Sequence, residues 1–182
     1  NDTVCLRGFG VGKGLVCLLI SLSICRMIVT KPTSQEYAPY FGTYISKVQQ
    51  NDLLEALRLH TDAFTTFIKN IPEQKADYAY AEGKWTVKEV LLHIIDAERI
   101  FAYRALRFAR NDKTALPGFE ENDYVPFSNA GARSLSSILE EFIAVRNATT
   151  TLFNSFDEAA FLRSGVASNN NMSVRALGYI IL

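Results

Sequence analysis

The sequence predicts an all-α fold, an up-and-down type four-helix bundle with its last helix truncated. Three observations predict it. Apolar residues recur at alternating steps of three and four along separate stretches, the spacing that keeps one face of a helix against its neighbours. Good helix-start residues, Asn51, Thr86, Ser134 and Ser173, precede those stretches. Connections rich in Pro, Gly and Asn separate them, and four seam-bearing helices joined this way make a bundle.

Residues 1–26 stand apart as a leader outside the fold. They hold all three cysteines, Cys5, Cys17 and Cys25. They also carry Arg7, Lys13 and Arg26 against Asp2 alone, so a positive leader offsets a negative body within a formal net charge of 0. The apolar run from Gly14 to Cys25 is shorter than the ~20 residues of a transmembrane helix and suits the apolar region of a secretory signal. No small-x-small cleavage pattern follows it, and Ile24 stands before Cys25 where a lipoprotein signal needs a small residue. The expected explanation is that Met27 is the true start and residues 1–26 are upstream sequence translated in frame. An export signal and a membrane anchor are the alternatives.

The remaining chain divides into an irregular aromatic-rich arm over 27–50 and the bundle over 51–182. In the arm, Pro32, Pro39 and Gly42 lie among Tyr37, Tyr40, Phe41 and Tyr44. The first helix follows Asn51 and ends at Pro72. Its seam is Leu53, Leu57, His60, Phe64, Phe67 and Ile71, which turns His60 inward. The second helix opens on a capping box, Thr86 with Glu89, and runs to about Asn111 with Val87, Leu91, Ile94, Phe101, Ala105 and Phe108 on one stripe. A long connection, Asp112 to Arg133, is either a packed crossover with Phe119, Tyr124 and Phe127 over one end of the bundle, or a lid. The third helix begins at Ser134 and carries Leu135, Ile138, Phe142, Val145, Thr149, Leu152 and Phe156. The fourth begins at Ser173, and Met172-Ser173-Val174 echoes Trp85-Thr86-Val87. It stops within the apolar run Tyr179 to Leu182, an ending that predicts a truncated helix because a free end favours polar capping.

Composition narrows the chemistry. With 48% hydrophobic and 21% charged residues the 182-residue chain is neither disordered nor collagen-like. Charge balance gives no field for nucleic acid or for a membrane surface, so neither is an expected partner of the body. A cysteine-free body fits the reducing cytoplasm and excludes a thiol nucleophile or a Cys/His zinc cluster. No phosphate-binding glycine loop in a strand-to-helix setting and no Glu-x-x-His pair of a di-iron bundle occurs.

His93 remains as the candidate. Glu89 and Asp96 lie about 40° and 60° from it around the helix and share its face, while Glu98 is about 140° away. His93 also reads as a satisfied core residue, and Asp96 as the partner of Arg99 on a solvated face. Glu98 falls on the buried stripe and requires a cation, for which Arg104, Arg107 and Arg146 are the candidates.

The block Gly83 to Arg110, with Trp85-Thr86-Val87-Lys88-Glu89 and His93-Ile94-Ile95-Asp96-Ala97-Glu98-Arg99, followed by Leu116-Pro117-Gly118-Phe119 and Asn122-Asp123, resembles the DinB/YfiT-like superfamily. Ser173 to Ile181 resembles the start of that family's last helix, and the similarity covers about 30–182. The resemblance implies a four-helix bundle in which three histidines bind a divalent metal, zinc or nickel. It also implies a metal-dependent transferase or hydrolase acting on small electrophiles, with thiol S-transfer the activity of some members. It makes His93 the metal ligand from the second helix. The last helix's His-x-x-x-His pair has no counterpart in these residues, so this chain is expected to bind metal poorly. His60 matches no ligand and is expected to line the same cavity. The expected partners are a small-molecule thiol or electrophile and a second copy in a homodimer. The alternative function is a non-catalytic, stress-associated binding module on the same bundle.

Overall fold

The computed structural model describes residues 27–182, and the expectations placed on the leader lie outside them. A short turn of helix, α1 (Gly42–Ile45), belongs to the arm. The long helices are α2 (Leu53–Lys69), α3 (Val87–Ala109) and α5 (Leu135–Asn154). The crossover contains α4 (Glu121–Tyr124). After α5 come α6 (Glu158–Leu162), a hairpin of β1 (Ser164–Ala167) and β2 (Asn170–Ser173), and α7 (Val174–Ile181).

Local chemistry sets the starts. Thr86 Oγ1 accepts the Glu89 N–H at 3.3 Å while Glu89 accepts the Thr86 N–H at 2.7 Å, completing the capping box. Ser134 and Ser173 accept the N–H groups of Ser137 and Ala176. At α2 the cap is Asp52 and not Asn51. Its carboxylate accepts from Leu54 N–H and also from Val29 N–H, both at 3.3 Å, so the arm selects the cap from a distance. The helix ends at Lys69, before Ile71. Ile68 takes the core position, leaving Phe67 58% exposed.

The four-helix bundle expected from the sequence is present. α3 lies between α5 and α7, and α2 packs on α5 and more lightly on α7. Consecutive α2 and α3 are therefore diagonal. The core falls into two clusters. One gathers Leu53, Phe108, Phe153, Leu177 and Tyr179, and the other Ile68, Leu91, Leu92, Ile138 and Phe142.

The hairpin has no forerunner in the helical periodicity. Its two-residue loop, Ser168-Asn169, has φ of 49° and 61°, the left-handed pair that a tight hairpin requires. Leu116 of the crossover joins its edge, donating to Val166 O at 2.9 Å and accepting from Ser168 N–H at 3.1 Å. Gly165 permits the close approach, since a Cβ there would stand 2.3 Å from the Phe108 ring. The crossover is packed by this pairing and by Phe119 against Tyr124, with ring centroids 5.6 Å apart. Phe127, expected to cover the bundle end, is 88% exposed.

The arm is fastened to the start of α7. Glu36 accepts from Arg175 at 2.5 and 2.7 Å and from the Ser173 hydroxyl at 2.8 Å. Tyr179 donates to Val29 O at 3.1 Å. Burial alone would raise the Glu36 carboxyl, but the donors Arg175, Thr33 and Ser173 outweigh it and hold its pKa at about 2. Burial pushes the Tyr179 phenol up to about 12.

Candidate functional site

A cavity of about 670 Å³ opens between the arm and the bundle helices, lined by residues of both core clusters or packed against them. That volume is in the range of small-molecule sites. Apolar walls dominate: Phe41 and Tyr44 from the arm, Phe64 from α2, Phe101 from α3, Phe142 from α5 and Ile180 from α7. The Phe41 and Phe101 rings meet edge to face at 6.0 Å, and Phe64 tilts against Phe142 at 4.7 Å.

Both histidines of the chain face this space. His60 reaches it from α2 and His93 from α3. The Trp85 ring lies 5.0 Å from the His93 ring and braces it, so the residue just before the α3 cap positions the imidazole. Among the described residues no hydrogen bond joins Asp96 to His93. Asp96 pairs with Arg99 at 3.4 Å on the outer face, as the spacing predicts.

Two of the three carboxylates fall as their helical angles predict. Glu89 and Asp96 share with His93 a narrow crevice under the crossover, with Glu121 and Tyr124 opposite. Glu98, expected on a separate face, lines the main cavity together with His93. The reason is width: the cavity spans His93, Ile94, Ala97, Glu98, Phe101 and Arg104, a broad stripe of α3. Glu98 is 2% exposed, and its cation is Arg146 of α5.

Arg104 and Ser168 are cavity residues that helical periodicity did not single out as a site. Arg104 is 3% exposed, and burial draws its guanidinium below the ordinary value. At the mouth the Tyr40 and Tyr44 hydroxyls are 2.8 Å apart. That hydrogen bond, with partial burial and the nearby Glu121 charge, raises the Tyr44 pKa.

Among the described residues no three of His, Cys, Asp and Glu converge closely enough to hold a metal ion. A catalytic zinc takes three protein ligands and an open position. Glu98 is occupied by Arg146, Asp96 by Arg99 and Glu89 by the Thr86 cap, and the residues present around His93 do not by themselves make that centre. No helix among the described residues is long and apolar enough to cross a membrane.

The sequence profile of the DinB superfamily matches residues 56–182. A protein of Geobacillus thermodenitrificans (strain NG80-2), named "Putative metal-dependent hydrolase", is 33% identical over 114 residues, which are 60% of this chain and 62% of that protein. The chain thus spans under two thirds of the length of that curated relative. Among solved structures, YfiT from Bacillus subtilis, described as a probable metal-dependent hydrolase with an unusual four-helix bundle topology, superposes with a TM-score of 0.62. It shares 16% identity, with 83% of each chain covered. The mycothiol-dependent maleylpyruvate isomerase superposes with a TM-score of 0.57 at 9% identity, covering 71% of this chain and 56% of the other. At such identities both likenesses are of fold.

Proposed function

The chain belongs to the DinB superfamily, and from that premise we propose that it is a divalent-metal-dependent enzyme whose cavity receives a small electrophile. The reaction is hydrolysis or transfer to a small-molecule thiol. His93 is the metal ligand these residues supply, the metal being zinc or nickel, and His60 contacts the substrate across the cavity. The observation that carries the reading is that both imidazoles line one largely apolar cavity. His60 at a wall of that kind is placed to hold or move a proton at a bound molecule beside the aromatic lining, and His93 is placed to ligate the metal. Trp85 keeps the His93 ring oriented for that task. The Geobacillus relative, named a metal-dependent hydrolase, supports the hydrolytic side, and the mycothiol-dependent neighbour is the reason to include the thiol.

The test is the metal content of the protein produced from its complete natural gene and purified without chelators. Stoichiometric metal that is lost in His93→Ala supports the reading. Unchanged metal in His93→Ala, or none in the parent, contradicts it. A second reading, a non-catalytic bundle that binds a ligand in the same cavity, is favoured by the lack of three converging donors among the described residues. It predicts ligand binding that neither metal nor His93→Ala alters.

A further inference from the structure

Charge is matched at every buried ionic side chain of the bundle helices except one. Arg146 has Glu98, and Lys88 has Asp77 at 2.9 Å. Arg104 donates through Nη2 to Pro117 O and to Ser168 Oγ, each at 3.0 Å, and both acceptors are neutral. Among the described residues it forms no ion pair. Removing a guanidinium from water without a counter-charge is costly, and a structure that tolerates the cost has a place for an anion.

The surroundings give that anion a shape. Arg104 faces the cavity, and its guanidinium carbon lies 5.5 Å from the Phe101 ring centre and 5.7 Å from that of Phe119. Ser168 lines the same wall. Its hydroxyl oxygen accepts from Arg104, which leaves its own proton to donate. Ser168 holds a left-handed backbone, and a side chain on Gly118 would come within 3.3 Å of its Oγ, so turn and crossover together clear the space around this hydroxyl. The other carboxylates on the cavity wall do not fill the role. Glu98 is engaged at both oxygens by Arg146, and Glu121 forms no ion pair with Arg104.

We infer that Arg104 and Ser168 form an oxyanion subsite of the cavity, taking the carboxylate of a small molecule whose apolar body lies against Phe101 and Phe119. A charged fork beside two aromatic faces suits a planar carboxylate attached to a flat apolar group. The inference rests on the reading of this cavity as the small-molecule site and is independent of the metal.

The experiment compares benzoate with its neutral isostere benzamide, titrated into the 15N-labelled protein in buffer containing a chelator. Benzoate should bind about tenfold or more tightly than benzamide, the difference a charge-assisted hydrogen bond confers, and should shift the Arg104 Nε–Hε resonance. Arg104→Gln should abolish the preference, Arg104→Lys should keep part of it, and Ser168→Ala should weaken it. Equal affinities, no binding of benzoate, or a preference surviving in folded Arg104→Gln would overturn the subsite. If Arg104→Gln does not fold, the benzoate-to-benzamide ratio and the Arg104 resonance of the unmodified protein decide. Failure here, with stoichiometric metal at His93 in protein purified without chelators, leaves the proposed function standing, and a benzoate preference in a protein that carries no metal when purified that way leaves only the subsite standing.

Discussion

Arg146 grips Glu98 with two nitrogens at the centre of the bundle. Nε donates to the carboxylate oxygens at 2.9 and 3.1 Å and Nη2 at 2.8 Å, and Nη2 also reaches Ile181 O at 3.2 Å. The pair thereby ties α3 to α5 and α5 to the last turn of α7, the three helices that enclose one side of the cavity. Arg146 Nη1 is buried with no acceptor among the described residues, and the guanidinium carbon lies 5.2 Å from the Phe142 ring centre.

Removing either partner leaves the other charge buried and alone. Glu98→Ala and Arg146→Ala should each lower stability by about 3–5 kcal/mol, whereas Glu98→Leu combined with Arg146→Met should cost less than either single change. Urea unfolding of the three variants checks this, and single changes costing under about 1 kcal/mol would contradict it.

Glu36 makes the arm sensitive to acid. Its folded pKa of about 2 lies below the reference 4.5, so its contribution is present above pH 4.5 and is lost as pH falls through 4.5 toward 2. Unfolding midpoints measured across that window should fall, and Glu36→Gln should show a shallower fall from a lower starting point. Parallel curves for the two proteins would exclude Glu36 as a source of the acid response.

Gly178 lets α7 approach its neighbours. A Cβ at this position would come within 2.4 Å of Leu53 Cδ2 and 2.8 Å of the Phe153 ring. Gly178→Ala should therefore destabilise by about 1–3 kcal/mol despite the better helix propensity of alanine. A stabilised variant in thermal unfolding would show that α7 has room the packing denies.

Much of the fold was legible because its signals are local. Thr86 with Glu89, Ser134 and Ser173 cap from within one turn, and sequence spacing alone finds them. Asp52 displaced Asn51 as a cap because Val29, 23 residues away, needs the same carboxylate. The hairpin escaped because its strands are short and its edge is completed by Leu116; the Ser168-Asn169-Asn170-Asn171 cluster was the available turn signal. At the site, burial of Glu98 followed from its stripe, but the choice among three arginines depended on which helix packs opposite. Arg104 reads from the sequence only as a counter-ion, because its side-chain partner, Ser168, lies 64 residues away.

The 182 residues themselves should hold zinc weakly, since a lone imidazole is a poor site and no three donors converge among the described residues. Calorimetric titration of zinc should give no tight equimolar complex. A tight one would contradict this and point to a donor set outside this cavity or a rearrangement within it.

The most direct measurement is anomalous diffraction at the metal's absorption edge from crystals of the protein made from its complete natural gene. The account predicts a peak inside the cavity within coordination distance of the His93 ring. A fully occupied metal that does not touch His93, or a cavity without metal in a protein that turns over substrate, would contradict it.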